Sequence, residues 1–239
     1  MKTTAIVLAA GQGKRMGSDV AKQYLLLNER PVLYYSLKNF EESPVDEIIL
    51  VTGEGMQEYC QKEIVDKYNI KKVSKIICGG KERYHSVACG LRAIDKCDYV
   101  LIHDGARPFA TPSIIESGIE AVKKYNACVI GMPVKDTIKI SDEEGFGKST
   151  PNRNQVWQIQ TPQIFSFEMI RDAYERLLVE ENELKEKGIS ITDDAMVAEL
   201  FTNCKVKFVE GSYQNIKITT PEDLDIAKLF LNQNTKNEK

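Results

Sequence analysis

Lys14, Arg15 and Lys22 follow two glycines, Gly11 and Gly13, where a short apolar run from Ala5 to Ala10 ends. Cations beside glycine-rich backbone can hold a polyphosphate. Glycine lets backbone N–H groups approach an anion closely, and fixed positive charge neutralises it. The spacing fits neither common phosphate loop. G-x-x-x-x-G-K-[ST] fails because Ser18 follows Gly17, and G-x-G-x-x-G meets Met16 at its last position, with Gly17 one residue late. A second group, Gly79, Gly80, Arg83 and Ser86 in GGKERYHSV, suits recognition of a base or ribose at a helix start. In a third, HDGARPF, Asp104 stands where an apolar run stops, with Arg107 three residues on. A carboxylate there suits Mg2+ or a ligand hydroxyl. Each group also has a plainer reading: solvated cations on a strand–loop–helix turn, an exposed Arg on a β–α turn, and an Asp–Arg turn bridge. The polyphosphate loop tips Asp104 towards the functional reading.

Apolar strand-like runs alternate with helical patterns, which predicts an α/β fold of βαβ units around a mostly parallel sheet. Beyond the first run, strands are expected over 47–51, 75–78, 99–103, 128–134 and 205–209. Helices are expected over 31–42, about 56–68, from Arg83 onward, 112–125 and 165–187. Thr192-Asp193-Asp194 caps another helix. The last opens at Thr220-Pro221 and ends near Leu231, leaving residues 232–239 as a frayed tail. Over about 137–158 the pattern changes: Asp136 to Ser141 alternates, DEEGFG turns, and Gln155 to Gln160 alternates again. A two-stranded arm is marginal alone, so it is expected to clasp a partner subunit in a homodimer. A hairpin folded onto its own domain is the alternative. One domain over 1–239 plus this arm is the simplest organisation.

The net charge of −3 offers nothing to nucleic acid or an anionic membrane, so any anion site must be local. No apolar run approaches a membrane span. The N-terminal run is too short for a signal peptide and meets GQGKRMG instead of a small-residue cleavage site. The six cysteines form no C-x-x-C, and His85 and His103 are not spaced with them as zinc ligands. A reducing, cytoplasmic protein without disulfides or structural metal is expected.

LAAGQGKRMG with Lys22-Gln23, GGKERYHSV, HDGARPF, PVKDTIK, QTPQIF, TDDA and NIKITTPEDL run in this order from residue 5 to about 225. In that order they resemble the 2-C-methyl-D-erythritol 4-phosphate cytidylyltransferases. The resemblance implies a Rossmann-like mixed sheet with helices on both faces. It also implies that CTP and methylerythritol phosphate, with Mg2+, give the diphosphocytidyl product and pyrophosphate, in the non-mevalonate isoprenoid pathway. By resemblance, Ala9, Ala10, Gly11, Gly80 and Ser86 would line the CTP site. Arg15 and Lys22 would stabilise charge on the triphosphate. Asp104, Arg107, Thr137, Arg153, Thr161, Thr192 and Lys217 would position the acceptor phosphate, the polyol hydroxyls or the nucleotide. Thr137 and Arg153 would do so from the arm, reaching the neighbouring subunit's site. Departures are small: Gly105 stands where many relatives carry Ala, and Tyr84 and His85 replace residues that are often polar.

The implied chemistry fits the residues. A phosphate monoester, with a second pKa of about 6, is already a nucleophile at neutral pH and needs no general base. Catalysis then consists of positioning and preorganised positive charge. The runner-up is a ribitol (pentitol) 5-phosphate cytidylyltransferase, which shares the glycine loop and QTPQ. Further readings are a nucleotide-binding module without turnover, opposed by Arg15, Lys22 and Asp104, and an NAD(P) dehydrogenase, opposed by the missing third glycine and the loop cations.

Overall fold

The computed structural model describes residues 1–11 and 20–237. The chain opens with β1 (Thr3–Ala9), a 3-10 turn (Lys22–Tyr24) and a small hairpin, β2 (Leu26–Leu27) and β3 (Arg30–Pro31). There follow α1 (Val32–Glu41), β4 (Glu47–Thr52), α2 (Gln57–Tyr59) continuing as a π-helix (Cys60–Asp66), and β5 (Val73–Cys78). Next come α3 (Arg83–Ala93), β6 (Tyr99–Asp104), α4 (Pro112–Tyr125) and β7 (Ala127–Pro133). The arm holds β8 (Ile140–Ser141) and β9 (Gly147–Ser149), and a 3-10 turn (Arg153–Gln155) leads into β10 (Trp157–Ser166). The chain closes with α5 (Phe167–Glu186), α6 (Asp194–Phe201), β11 (Lys207–Glu210) and α7 (Pro221–Asn237).

Among the described residues, seven strands form the main sheet in the order β11-β7-β10-β6-β1-β4-β5. Only β10 runs against its neighbours β6 and β7; the others pair in parallel. Successive side chains of a strand point to opposite faces, and both faces of the central strands are apolar. Ile6 of β1 belongs to a core with α3, α5 and α6. Ala5 and Val7 belong to another, with α1, α4 and the π-helix. This is the buried two-faced pattern of parallel strands.

Helix ends follow their local chemistry. In α4, Thr111 caps, Pro112 is the first residue, and Asn126 closes the helix in the left-handed region at φ 62°. In α7, the Asp223 carboxylate accepts from the N–H groups of Thr219 and Thr220, 2.8 Å each. Two differences from expectation exceed a residue or two. Helix α7 continues past Leu231 to Asn237, because 232–237 contains no Gly or Pro to stop it. The arm's returning strand is β9, not Gln155–Gln160: Trp157 already pairs with Pro133 in the main sheet. The alternation there is that of β10, not of the hairpin.

The topology fixes where a site can form. After β1 the chain builds outward through β4 and β5, then returns to lay β6 on the other side of β1. The connections therefore part at β1, and the carboxyl ends of β6, β1, β4 and β5 share one edge. In open α/β sheets that crevice is where ligands bind.

Candidate active site

Two clusters stand on that edge. The first surrounds the end of β1. Ala9 is buried, Ala10 half-buried and Gly11 exposed. A Cβ on Gly79 would come within 2.7 Å of both Ala10 Cβ and Ser86 Oγ, so the ends of β1 and β5 and the start of α3 meet only because residue 79 is glycine. The Gly80 N–H donates to Ser86 Oγ at 3.1 Å, fixing the turn into α3. Lys22 lies half-buried in the 3-10 turn that follows. Arg15, with Gly13 and Lys14, lies outside the described residues.

The second cluster lines an open cavity of about 340 Å³, with Arg83, Asp104, Arg107, Thr161, Thr192 and Lys217 in its wall. Asp104 ends β6. Its Oδ1 accepts from Arg83 Nε at 3.1 Å and its Oδ2 pairs with Lys217 Nζ at 2.7 Å. Burial pushes this carboxyl up, but Arg83 and Lys217 outweigh it and hold it well below the usual carboxylate range. Lys217 is delivered by a loop zipped onto the sheet. Ile218 N–H donates to Ala106 O at 2.9 Å, and the buried Asn215 donates to Gln160 Oε1 and Thr161 O. Arg107 Nη1 in turn donates to Asn215 O at 2.7 Å. The turn bridge between the Asp104 and Arg107 side chains does not form; Arg107 N–H bonds the Asp104 carbonyl instead. Helix α1 clamps this turn, Ser36 Oγ facing the carbonyls of Gly105 and Arg107 at 3.0 and 3.1 Å.

Behind Asp104 sits His103, fully buried. Its Nε2 faces the Arg107 carbonyl, which can only accept, while its Nδ1 lies 3.1 Å from Thr161 Oγ1, which itself accepts from Asp104 N–H at 3.1 Å. The ring proton therefore rests on Nε2 and is donated to Arg107 O at 3.1 Å. Burial draws the imidazole pKa down to about 4, so the ring is neutral at physiological pH. Thr161 spends its hydroxyl hydrogen on this network.

A sequence model of the family described as IspD, 2-C-methyl-D-erythritol 4-phosphate cytidylyltransferase, matches residues 3–233. The chain belongs to this family. A relative of that name from Lachnoclostridium phytofermentans is 50% identical over 232 residues, 97% of either chain. One from Lachnospira eligens is 53% identical over 229 residues, 95% of this chain and 98% of its own. A crystal structure of 4-diphosphocytidyl-2C-methyl-D-erythritol synthase from Anaerococcus prevotii superposes with a TM-score of 0.83 at 36% identity, covering 97% of this chain and 96% of its own.

In this IspD-family chain, TDDA holds what sequence reasoning missed. The sequence pattern gives both acids a role at the capped start of a helix. Asp193 is the cap, its Oδ1 accepting from Met196 N–H at 2.9 Å. Asp194 is fully buried, gripped by Arg83 through two 2.8 Å bonds, and accepts from Tyr174 OH at 2.5 Å. An acid doublet where one cap suffices was the available signal. Arg83, expected on a base or ribose, instead spends its guanidinium on Asp104 and Asp194. Burial opposes its charge, yet the two carboxylates raise its pKa well above normal.

Thr137 and Arg153 stand on the arm, exposed, and do not line the cavity. Arg153 Nη1 donates to Lys135 O at 3.2 Å. Both oxygens of Asp104 already face cations, Arg83 and Lys217. As placed, Asp104 does not fit Mg2+ as a direct ligand.

Proposed function

We infer that the protein joins CTP to 2-C-methyl-D-erythritol 4-phosphate, releasing pyrophosphate and forming 4-diphosphocytidyl-2-C-methyl-D-erythritol for isoprenoid synthesis. The observation that carries this is the juxtaposition, in a chain of this family, of a glycine-bounded strand end with a cavity bearing Arg83, Arg107 and Lys217. Ala9, Ala10, Gly11, Gly80 and Ser86 are assigned to CTP, with Arg15 and Lys22 on its triphosphate. Lys217 and Arg107 are assigned to the acceptor phosphate. Its dianion attacks the α-phosphorus; one P–O bond forms there while the bond to the departing pyrophosphate breaks. No proton need be removed first. The fixed cations lower the cost of bringing two anions together and meet the charge on the leaving group. Mg2+ is proposed only as the companion of CTP.

We further propose a homodimer through the arm, with Thr137 and Arg153 completing the partner's site. The arm exposes Phe146 and Ile140, and a two-stranded ribbon lacks a core of its own. A cytoplasmic location is proposed from the free cysteines; among the described residues no helix is long and apolar enough to cross a membrane.

Pyrophosphate release is the test, with CTP, ATP, GTP and UTP each offered with methylerythritol phosphate and with ribitol 5-phosphate. Release with CTP and methylerythritol phosphate, and little with any other pair, is expected. Silence with that pair, or faster release with ribitol 5-phosphate, overturns the assignment.

A further inference from the structure

Gln23 follows Lys22 in the 3-10 turn, and its side chain is almost wholly buried. Its amide nitrogen donates to Ala9 O at 2.6 Å and to Gly11 O at 3.0 Å. An amide NH2 has two hydrogens, and both are committed to the end of β1. The two accepting carbonyls flank Ala10, at the strand end assigned above to CTP. A carbonyl oxygen is the negative end of the peptide dipole, so one facing a triphosphate would repel it. Gln23 turns two such oxygens onto a buried donor. It also ties the turn carrying Lys22 to the strand end, across the segment 12–19.

We propose that Gln23 is a positioning residue for the nucleoside triphosphate: it withdraws the Ala9 and Gly11 carbonyls from the phosphates and holds Lys22 in register with the strand end. This rests on the assignment of that strand end to CTP. It predicts an effect confined to the nucleotide. Gln23→Glu keeps the shape, removes both donors and turns carboxylate oxygens on the two carbonyls. Gln23→Met removes the donors without adding charge.

Both variants, with Lys22→Ala in parallel, are to be measured by steady-state kinetics for each substrate and by the rise in Tm that CTP confers. A KM for CTP raised at least about tenfold, on the scale of lost buried hydrogen bonds, is expected for Gln23→Glu. A smaller rise is expected for Gln23→Met, with the acceptor's KM at saturating CTP within about twofold of wild type. CTP should protect both variants less than wild type. A CTP KM within twofold of wild type, or equal shifts in both KM values, overturns the proposal. So does loss of the fold in both variants, since the role would then be structural. If Lys22→Ala also leaves CTP use unchanged, the phosphate assignment itself fails; if it cripples CTP use while the Gln23 variants do not, only this inference falls.

Discussion

Arg83 grips two carboxylates, and the one on Asp194 is out of reach of water. Removing the guanidinium strands a buried charge, which costs far more than an exposed ion pair returns. Arg83→Ala should therefore lose about 3–5 kcal/mol of stability in urea unfolding; a loss under about 1 kcal/mol would show that Asp194 finds another partner. His103 makes a pH-dependent contribution. Its folded pKa is about 4 against an ordinary 6.5, so between those values the unfolded chain binds the proton first. The stability it protects is full above pH 6.5 and falls away towards pH 4, by up to about 3 kcal/mol. Urea unfolding should show that slope, and His103→Asn should flatten it. Lys22→Ala should cut kcat by about 10²-fold, the scale of a lost transition-state donor; unchanged turnover would remove Lys22 from the chemistry. At this scale the sequence was half legible. Asp104 was legible from its residue type and its place at the end of an apolar run, whereas Lys217 was legible only through the family resemblance. Asp194 was not, because a cap and a buried counter-ion look alike until the fold places Arg83 opposite one of them.

Helix α3 reaches the sheet edge at the right height because it crosses β1 closely. A Cβ on Gly90 would meet Ile6 Cγ2 at 2.7 Å. That methyl sits directly on a β-branched carbon in a buried strand and has little room to swing aside. Helix propensity alone favours Gly90→Ala by about 1 kcal/mol, yet overpacking costs about 1–3 kcal/mol. A lower Tm for Gly90→Ala is expected; a higher one would show that α3 can slide. The alternation of strands and helices was readable because each central strand is an unbroken apolar run. The arm's second strand is not legible in the sequence, because a period of two reveals that one face is buried, not which sheet buries it. Tyr84 and His85, the small departures from the family pattern, have acquired a shared partner: both bond the Glu181 carboxylate on α5, at 3.0 and 2.9 Å, tying α3 to its neighbour.

At the scale of the molecule, the proposed shared site has a direct test. Arg153→Ala and Lys22→Ala should each be nearly inactive, and a mixture given time to exchange subunits should regain activity, since one of its two sites can be whole. No recovery, with exchange verified by mass spectrometry, would leave Arg153 serving its own subunit or none. Antiparallel β10 shapes how the arm and the site relate. From its pairing of Gln163 with Ile102, it begins beyond the carboxyl edge of β6 and overhangs the cavity, where its strand neighbour is β7, with Trp157 opposite Pro133. Ile159, Gln160 and Thr161 of that overhang form one wall of the cavity, and the arm springs from its tip. Arm and cavity wall are thus one continuous piece of chain: with the acceptor placed in this cavity, as proposed, whatever grips the arm bears directly on the wall beside it.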